Sequence, residues 1–356
     1  MATHSSLALP SVTFAKLSPH PYLLANLQPA NPSTPSSRTN GRQPTQARPP
    51  AINHSSLSHA HGSAVVRTGD TTAVCGVRAE TLTTSQIPNY RSPPLPAAGV
   101  TASTDELRDY DLLVPNIELA TGCAPDFLPG VPPTTLAQTL STRIYSLLHS
   151  SRVLDVADLR IYQQDDEGDD DDDDMQDVEG RQGDVDVPAR EVKAYWVLYI
   201  DILFISLDGN PFDAAWAAVL AALRDTRLPR ARWDADREAV LCARREAAAA
   251  VPLSLSGLPV ACTAAVFTAK ERLKQTQGRS AGGSSGPFWM LVDPDRFEES
   301  LCDETVTVVV DCSGEGGGET KILGLSKSGG TVVGPEVMRR FVAVAEGRWQ
   351  EFRDAF

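Results

Sequence analysis

Apolar positions keep two rhythms along this chain. Between Gly62 and Glu80 they fall in two β-rich runs hinged on Thr68-Gly69-Asp70, so the stretch predicts a hairpin. From Pro133 to Ser151 the spacing becomes helical: Leu136, Leu140, Ile144, Leu147 and Leu148 form one stripe, and Pro132, Pro133, Thr134 and Thr135 mark its start. Val153–Tyr162 is expected to start a strand, and a long strand is expected at Val192–Leu207. The turn residues Asp208-Gly209-Asn210-Pro211 then lead into an Ala-rich helix from Asp213 to Asp225. The second half predicts strands at Pro259–Thr268, Trp289–Asp293, Glu304–Asp311 and Ile322–Ser326, and a closing helix from Pro335 to about Phe352. Strands followed by a helix recur in both halves, which predicts an α/β or α+β two-layer architecture with the character of a pseudo-repeat.

Residues 1–13 and 28–58 are rich in Ser, Thr, Pro and Asn and read as disordered arm or linker around a short apolar segment, Phe14–Leu27. Order is expected from about His59. Residues 81–132 read as loop around a short segment at Asp111–Leu119.

Composition sharpens this picture in three places. With 42% apolar and 22% charged residues in 356, the chain can bury a sizeable core. The formal charge of −14 is local: residues 165–187 hold thirteen carboxylates against Arg181 alone, so that segment carries −12 and the body is nearly neutral. A general repulsion of nucleic acid is thereby excluded, as is a strongly basic binder. Six scattered cysteines with no C-x-x-C pair read as reduced thiols of an intracellular protein. The longest apolar run, Tyr195 to Ile205, is interrupted by Asp201 and too short to cross a bilayer. The start, free of Asp and Glu before Asp70, has the bias of an organelle presequence. Its first 37 residues contain Lys16 and no Arg, which argues against import.

Candidate chemistry is sparse. The acid run at Asp169–Asp174 lacks the alternation and Gly turn of a calcium loop and reads as a solvated, disordered insertion. His54, His59 and His61 match no ligand spacing, and all six histidines precede residue 150. The Gly-rich stretches Ser280–Gly286 and Gly314–Gly318 precede no helix, so they read as hairpin loops rather than phosphate cradles. The strip Asp293, Asp295, Glu298, Glu299, Asp303, Glu304 is the one place where paired acids could hold a metal, and a turn with solvated charges accounts for it equally well.

Arg38-Thr39-Asn40-Gly41-Arg42, followed by Gly62-Ser63-Ala64 through Cys75 to Val77-Arg78-Ala79-Glu80, resembles the opening of the RNase PH family. The likeness continues through Trp196 to Asp201, Asp208-Gly209-Asn210, Asp213-Ala214-Ala215, Leu228-Pro229, Val292-Asp293-Pro294 and Val306–Val310. It covers roughly residues 37–345 without the acidic insertion and the 270–287 loop. Within the family the wording is most similar to a subunit of the eukaryotic exosome core ring.

The resemblance implies an RNase PH-like two-layer β-α-β fold, its N-terminal part like domain 2 of ribosomal protein S5, with a smaller C-terminal α/β subdomain. The corresponding division is a flexible arm at 1–36, an N-terminal domain at 37–252 with the acidic insertion at 165–187, and a C-terminal subdomain at 253–356. It further implies a hetero-hexameric ring of RNase PH-like subunits, OB-fold caps, an associated catalytic ribonuclease and single-stranded RNA as partners, with no membrane. Expected locations are nucleus, nucleolus and cytoplasm.

Active members grip phosphate with an Arg in a Gly-Thr-Arg continuation of the turn, where this chain has Asn210-Pro211-Phe212. Pro removes an N–H donor and Phe replaces the guanidinium. The family's acid pair falls on Glu299 or Ser300 and on Thr305 or Val306, and its opening Asp is Asn40. Two readings follow: a non-catalytic ring subunit for RNA processing, ribosomal RNA included, or a phosphate-dependent 3'-to-5' exoribonuclease with displaced catalytic groups. The first is favoured, with no catalytic residue, metal or cofactor, and with Arg78 and Arg91 expected to contact RNA.

Overall fold

A computed structural model describes residues 10–29, 31, 33, 35–91, 106–130, 132–163, 191–244, 250–269, 288–302, 304–314 and 319–356. The acidic insertion at 165–187, the stretch 280–286, most of 314–318 and Asp303 lie outside the described residues.

Two short helices come first, α1 (Ser11–Leu17) and α2 (Pro19–Leu27). The N-terminal half then builds β1 (Pro50–His54), β2 (Gly62–Thr68), β3 (Thr71–Thr83), α3 (Glu106–Asp109), β4 (Leu113–Leu119), α4 (Thr135–Ser151), β5 (Arg160–Tyr162), β6 (Val192–Ser206) and α5 (Pro211–Asp225). A ribbon region follows: β7 (Arg227–Leu228), β8 (Ala231–Asp234), β9 (Ala239–Cys242) and β10 (Val251–Pro252). The C-terminal half is β11 (Val260–Thr268), β12 (Phe288–Val292), α6 (Arg296–Leu301), β13 (Glu304–Asp311), β14 (Lys321–Ser328) and α7 (Pro335–Ala355).

Six strands form the first sheet in the order β1-β2-β3-β6-β4, with β5 paired to β6, and only β4 runs parallel to its neighbour. The second sheet is antiparallel throughout, in the order β12-β11-β13-β14. Helix α5 lies between them and contacts β2, β3 and β11. That position explains its sequence. Every residue from Pro211 to Leu223 is buried, and a helix that is apolar all round except at Asp213, with small Ala faces, can fill the gap between two sheets. Trp216 is buried in this gap, its indole N–H donating to Pro259 O at 2.8 Å. The start of α5 is thereby delivered to the seam between the two halves.

The hairpin at Thr68-Gly69-Asp70, the long strand β6 and the C-terminal strands form where the apolar rhythm places them. Other expectations are corrected. The arm within 1–36 and the linker within 28–58 contain α1, α2 and β1, and Leu23 and Leu27 are buried against Ala265, Phe267 and Leu291 of the C-terminal sheet. Their polar surroundings hide two leucines whose partners lie more than two hundred residues away in sequence. Leu136 is exposed and Ala137 takes its place in the α4 stripe, because the drift of a 3.6-residue turn leaves position 136 at the margin of the buried face. Only Arg160–Tyr162 of the segment expected to start a strand at Val153 is extended, preceded by a 3₁₀ turn at Val156–Leu159.

Candidate functional site

Among the described residues the seam carries the densest set of buried charges, built from three loops. The first is the segment before β1, which brings Arg38, Arg42 and Arg48. The second is the turn Asp208-Gly209-Asn210 at the start of α5. The third is the acid strip after β12, where Asp295 caps α6 by accepting from Glu298 N while Glu298 accepts from Asp295 N. This reciprocal cap turns the expected solvated strip into a helix whose carboxylates point inward.

Arg38 and Glu298 are a pair with no exposed side-chain surface. The guanidinium donates to both carboxylate oxygens, through Nε at 2.6 Å and through Nη2, and also to the carbonyls of Val292 (2.6 Å), Asp293 (3.1 Å) and Gln46 (3.2 Å). Arg48 grips Asp293 with Nε and Nη2, both at 2.8 Å, while its Nη1 reaches Asp208 O at 2.8 Å. Burial works against the charge on Asp293, yet these donors and Asn210 outweigh it and hold the carboxyl down at about 2. Arg42 Nη1 adds a bond to Asp293 O at 3.0 Å, whereas its buried Nη2 lies 3.9 Å from Glu298 with no hydrogen bond among the described residues. Asn40 donates to Asp295 at 2.9 Å.

The turn is locked into the same lattice. Gly209 has φ +77°, and a Cβ there would meet the backbone of Pro294 and Asp295 at 2.5 Å, so only glycine fits. Asn210, itself left-handed at φ 48°, donates its backbone N–H to Glu299 at 2.7 Å and its side-chain amide to Asp213 and Asp293, both at 2.9 Å. The N-terminus of α5 is thus closed by a carboxylate of the chain itself, and Pro211 presents no donor. Phe212 is buried, with the Arg143 guanidinium 3.9 Å from its ring centre and donating to Thr307 at 3.1 Å.

At the positions expected for an acid pair, Glu299 is spent on Asn210 and Ser300 bonds its own helix backbone. Val306 is fully buried on β13 and Thr305 pairs with Ala265 and Ser328. Glu304 is held by Thr331, whose backbone N–H and hydroxyl both donate to it. The lattice therefore joins two sheets, charge against charge, and among the described residues it offers an incoming anion no unpaired cation at the start of α5 beyond Arg143.

Glu299 also makes a pH dependence. Burial, reinforced by Asp293 and Asp295 and opposed by the Asn210 N–H and Arg48, pushes its carboxyl up to about 7 from 4.5. A carboxyl that holds its proton more tightly when folded contributes fully below the unfolded value, and the contribution is lost as pH rises from 4.5 to 7. Glu299→Gln keeps the acceptor and removes the charge, so its stability relative to wild type should improve between about pH 5 and about pH 8. Urea midpoints at the two pH values check this; an unchanged difference would show that Glu299 titrates normally.

Arg78 and Arg91 are not brought into this lattice. Both are exposed. Arg78 stacks 5.4 Å from the Tyr199 ring centre and lies 3.3 Å from Glu80, and the Arg91 backbone bonds the Tyr110 hydroxyl. Sequence reading missed Arg38, Arg48 and Glu298 as a buried set. The readable signal was the Asp295-x-x-Glu298 box, whose geometry requires Glu298 to fold back over the helix start.

Comparison with known proteins places this geometry. The 3' exoribonuclease family, domain 1 (RNase PH), matches residues 46–229, and domain 2 of the same family matches residues 257–348. The chain is 30% identical to exosome complex component rrp43 of Schizosaccharomyces pombe over 340 residues, covering 96% of this chain and 95% of that one. It is 24% identical to exosome complex component Rrp42 of Archaeoglobus fulgidus, covering 90% of each. Among solved structures, the Archaeoglobus fulgidus exosome with RNA bound to the active site superposes with a TM-score of 0.60 at 23% identity, over 94% of this chain and 96% of that one. An archaeal exosome core gives 0.57 at 21%, over 97% and 100%. These two likenesses concern the fold.

Proposed function

Because the chain belongs to the RNase PH family of 3' exoribonucleases, we propose that it serves as a non-catalytic subunit of an exosome core ring, scaffolding and lining the path of RNA for 3'-to-5' processing. One observation carries the reading. Where active members place a phosphate-gripping arginine, the turn here is closed on Asp293 and Glu299, and Phe212 lies buried under Arg143. Phosphorolysis needs an available cation for the attacking phosphate and, in most members, a carboxylate-held metal, each worth orders of magnitude in rate. The seam spends Arg38, Arg42 and Arg48 on its own carboxylates instead, and Arg143 is held over the Phe212 ring and on Thr307.

Full-length likeness to the fission yeast rrp43 chain supports the ring assignment. On this reading the partners are other RNase PH-like subunits, OB-fold caps, single-stranded RNA and a separate catalytic ribonuclease. The sites of action are nucleus, nucleolus and cytoplasm, ribosomal RNA maturation included. Arg78 and Arg91 are the residues assigned to RNA contact.

The test has two arms. Native mass measurement of the tagged chain isolated from cells should give a ring of different RNase PH-like chains. The purified chain, given single-stranded RNA, magnesium and phosphate, should release no nucleoside diphosphate. Release that disappears in Glu304→Ala would show that the chain is a phosphorolytic enzyme.

A further inference from the structure

The ribbon strands β7 to β10, together with β5 and β6, line a half-open hollow of about 870 Å³ that shares no residue with the seam. Its cationic side is dense: Arg230, Arg232, Arg237 and Arg244 are exposed on it, and no lysine lines it among the described residues. Arg237 is 3.8 Å from Asp234, while Arg230, Arg232 and Arg244 have no ion pair among the described residues. Among the described residues the one carboxylate in the lining, Asp158, accepts from Ser254 N. The floor is apolar, with Trp196, Leu228 and Leu253 buried beneath.

Exposed arginines of like sign repel one another, and a cluster of them around a concave floor concentrates positive potential there. Arg230 immediately precedes β8 and Arg232 lies on it, two residues apart and hence about 6.7 Å apart along an extended chain. Paired, planar guanidiniums at such a spacing suit successive phosphates of an extended strand, each contacted through two N–H groups. We propose that this hollow is a binding site for the phosphate backbone of single-stranded RNA, separate from the seam. The preference for RNA over an acidic protein segment rests on the functional reading above, since the family handles RNA.

Cys242 supplies the probe. It is an exposed thiol in the lining, whereas Cys312 is half-buried outside the hollow. With the full chain and a single-stranded RNA of about a dozen nucleotides at low salt, alkylation of Cys242 should slow several-fold while Cys312 reacts as before. Replacing Arg230 and Arg232 by Ala should lower the salt slope of RNA binding by about 1.4, roughly 0.7 for each phosphate that is no longer neutralised. The Arg→Lys pair should keep the slope, which separates charge from misfolding. Cys242 alkylated at its unliganded rate in saturating RNA, or a slope unchanged by the Ala pair, overturns the proposal. Protection by poly-glutamate but not by RNA also overturns it and assigns the hollow to an acidic protein segment. A chain found in a ring but unprotected at Cys242 refutes this site alone; one protected but absent from any ring refutes the functional reading alone.

Discussion

Arg38→Ala should destabilise the chain by about 3–5 kcal/mol, the usual cost of removing one partner of a buried ion pair. The reason is the carboxylate left behind. Glu298 has no exposed side-chain surface, and it keeps its position because its other bonds, the reciprocal cap with Asp295, hold the start of α6. Without the guanidinium, an ionised Glu298 would sit in a medium that screens it poorly, and the carbonyl of Val292 would lose its Arg38 donor as well, whereas Asp293 O would keep Arg42. The double variant Arg38→Ala with Glu298→Gln removes the stranded charge and should recover a measurable part of the loss, since residues in one network are coupled by roughly 0.5–3 kcal/mol. Urea unfolding of wild type, the two single variants and the double closes the cycle. A loss below about 1 kcal/mol for Arg38→Ala would mean that water reaches Glu298 and that the pair is a surface bridge in energetic terms.

Gly209→Ala is expected to cost about 2–4 kcal/mol. Two penalties combine: a non-glycine residue held at positive φ costs about 1 kcal/mol, and forcing a methyl against packed neighbours costs about 1–3 more. The neighbours are backbone atoms of Pro294, Asp295 and Arg296, at 2.5 to 2.7 Å, so no side-chain rotation relieves the clash. Relief has to come from moving the turn away from the acid strip, which breaks the Asn210 bonds to Asp293 and Glu299. Gly41→Ala isolates the conformational part. It has φ +83° with nothing within 4 Å of the added carbon, and should cost only about 1 kcal/mol. Equal losses in the two variants would show that the close approach at Gly209 relaxes freely.

The two variants test a single idea, that the start of α5 is a structural joint. In a phosphorolytic member the same place must stay open to an anion. Here the Asn210 N–H, the Arg48 guanidinium and the Phe212 ring are each satisfied from within the chain. Such an arrangement ties the two halves of the chain together.

What the sequence determined by itself was the set of strands and helices whose partners are local or whose apolar rhythm is unbroken. The hairpin on Gly69 needs only its turn chemistry, β6 only its run of β-branched and aromatic residues, and α5 only its Ala-rich apolar run. The replacement of the family arginine by Phe212 was legible for the same reason, because it is a change of residue type at a fixed place in a motif. Tertiary structure alone decided the burial of Arg38 and Arg48 in a stretch with the composition of a linker, the seating of Leu23 and Leu27, and the pairing of Glu298 with Arg38. Each of these depends on a partner more than two hundred residues away, and local pattern carries no term for an interaction closed over that distance: an arginine looks like surface until the carboxylate that neutralises it is folded against it.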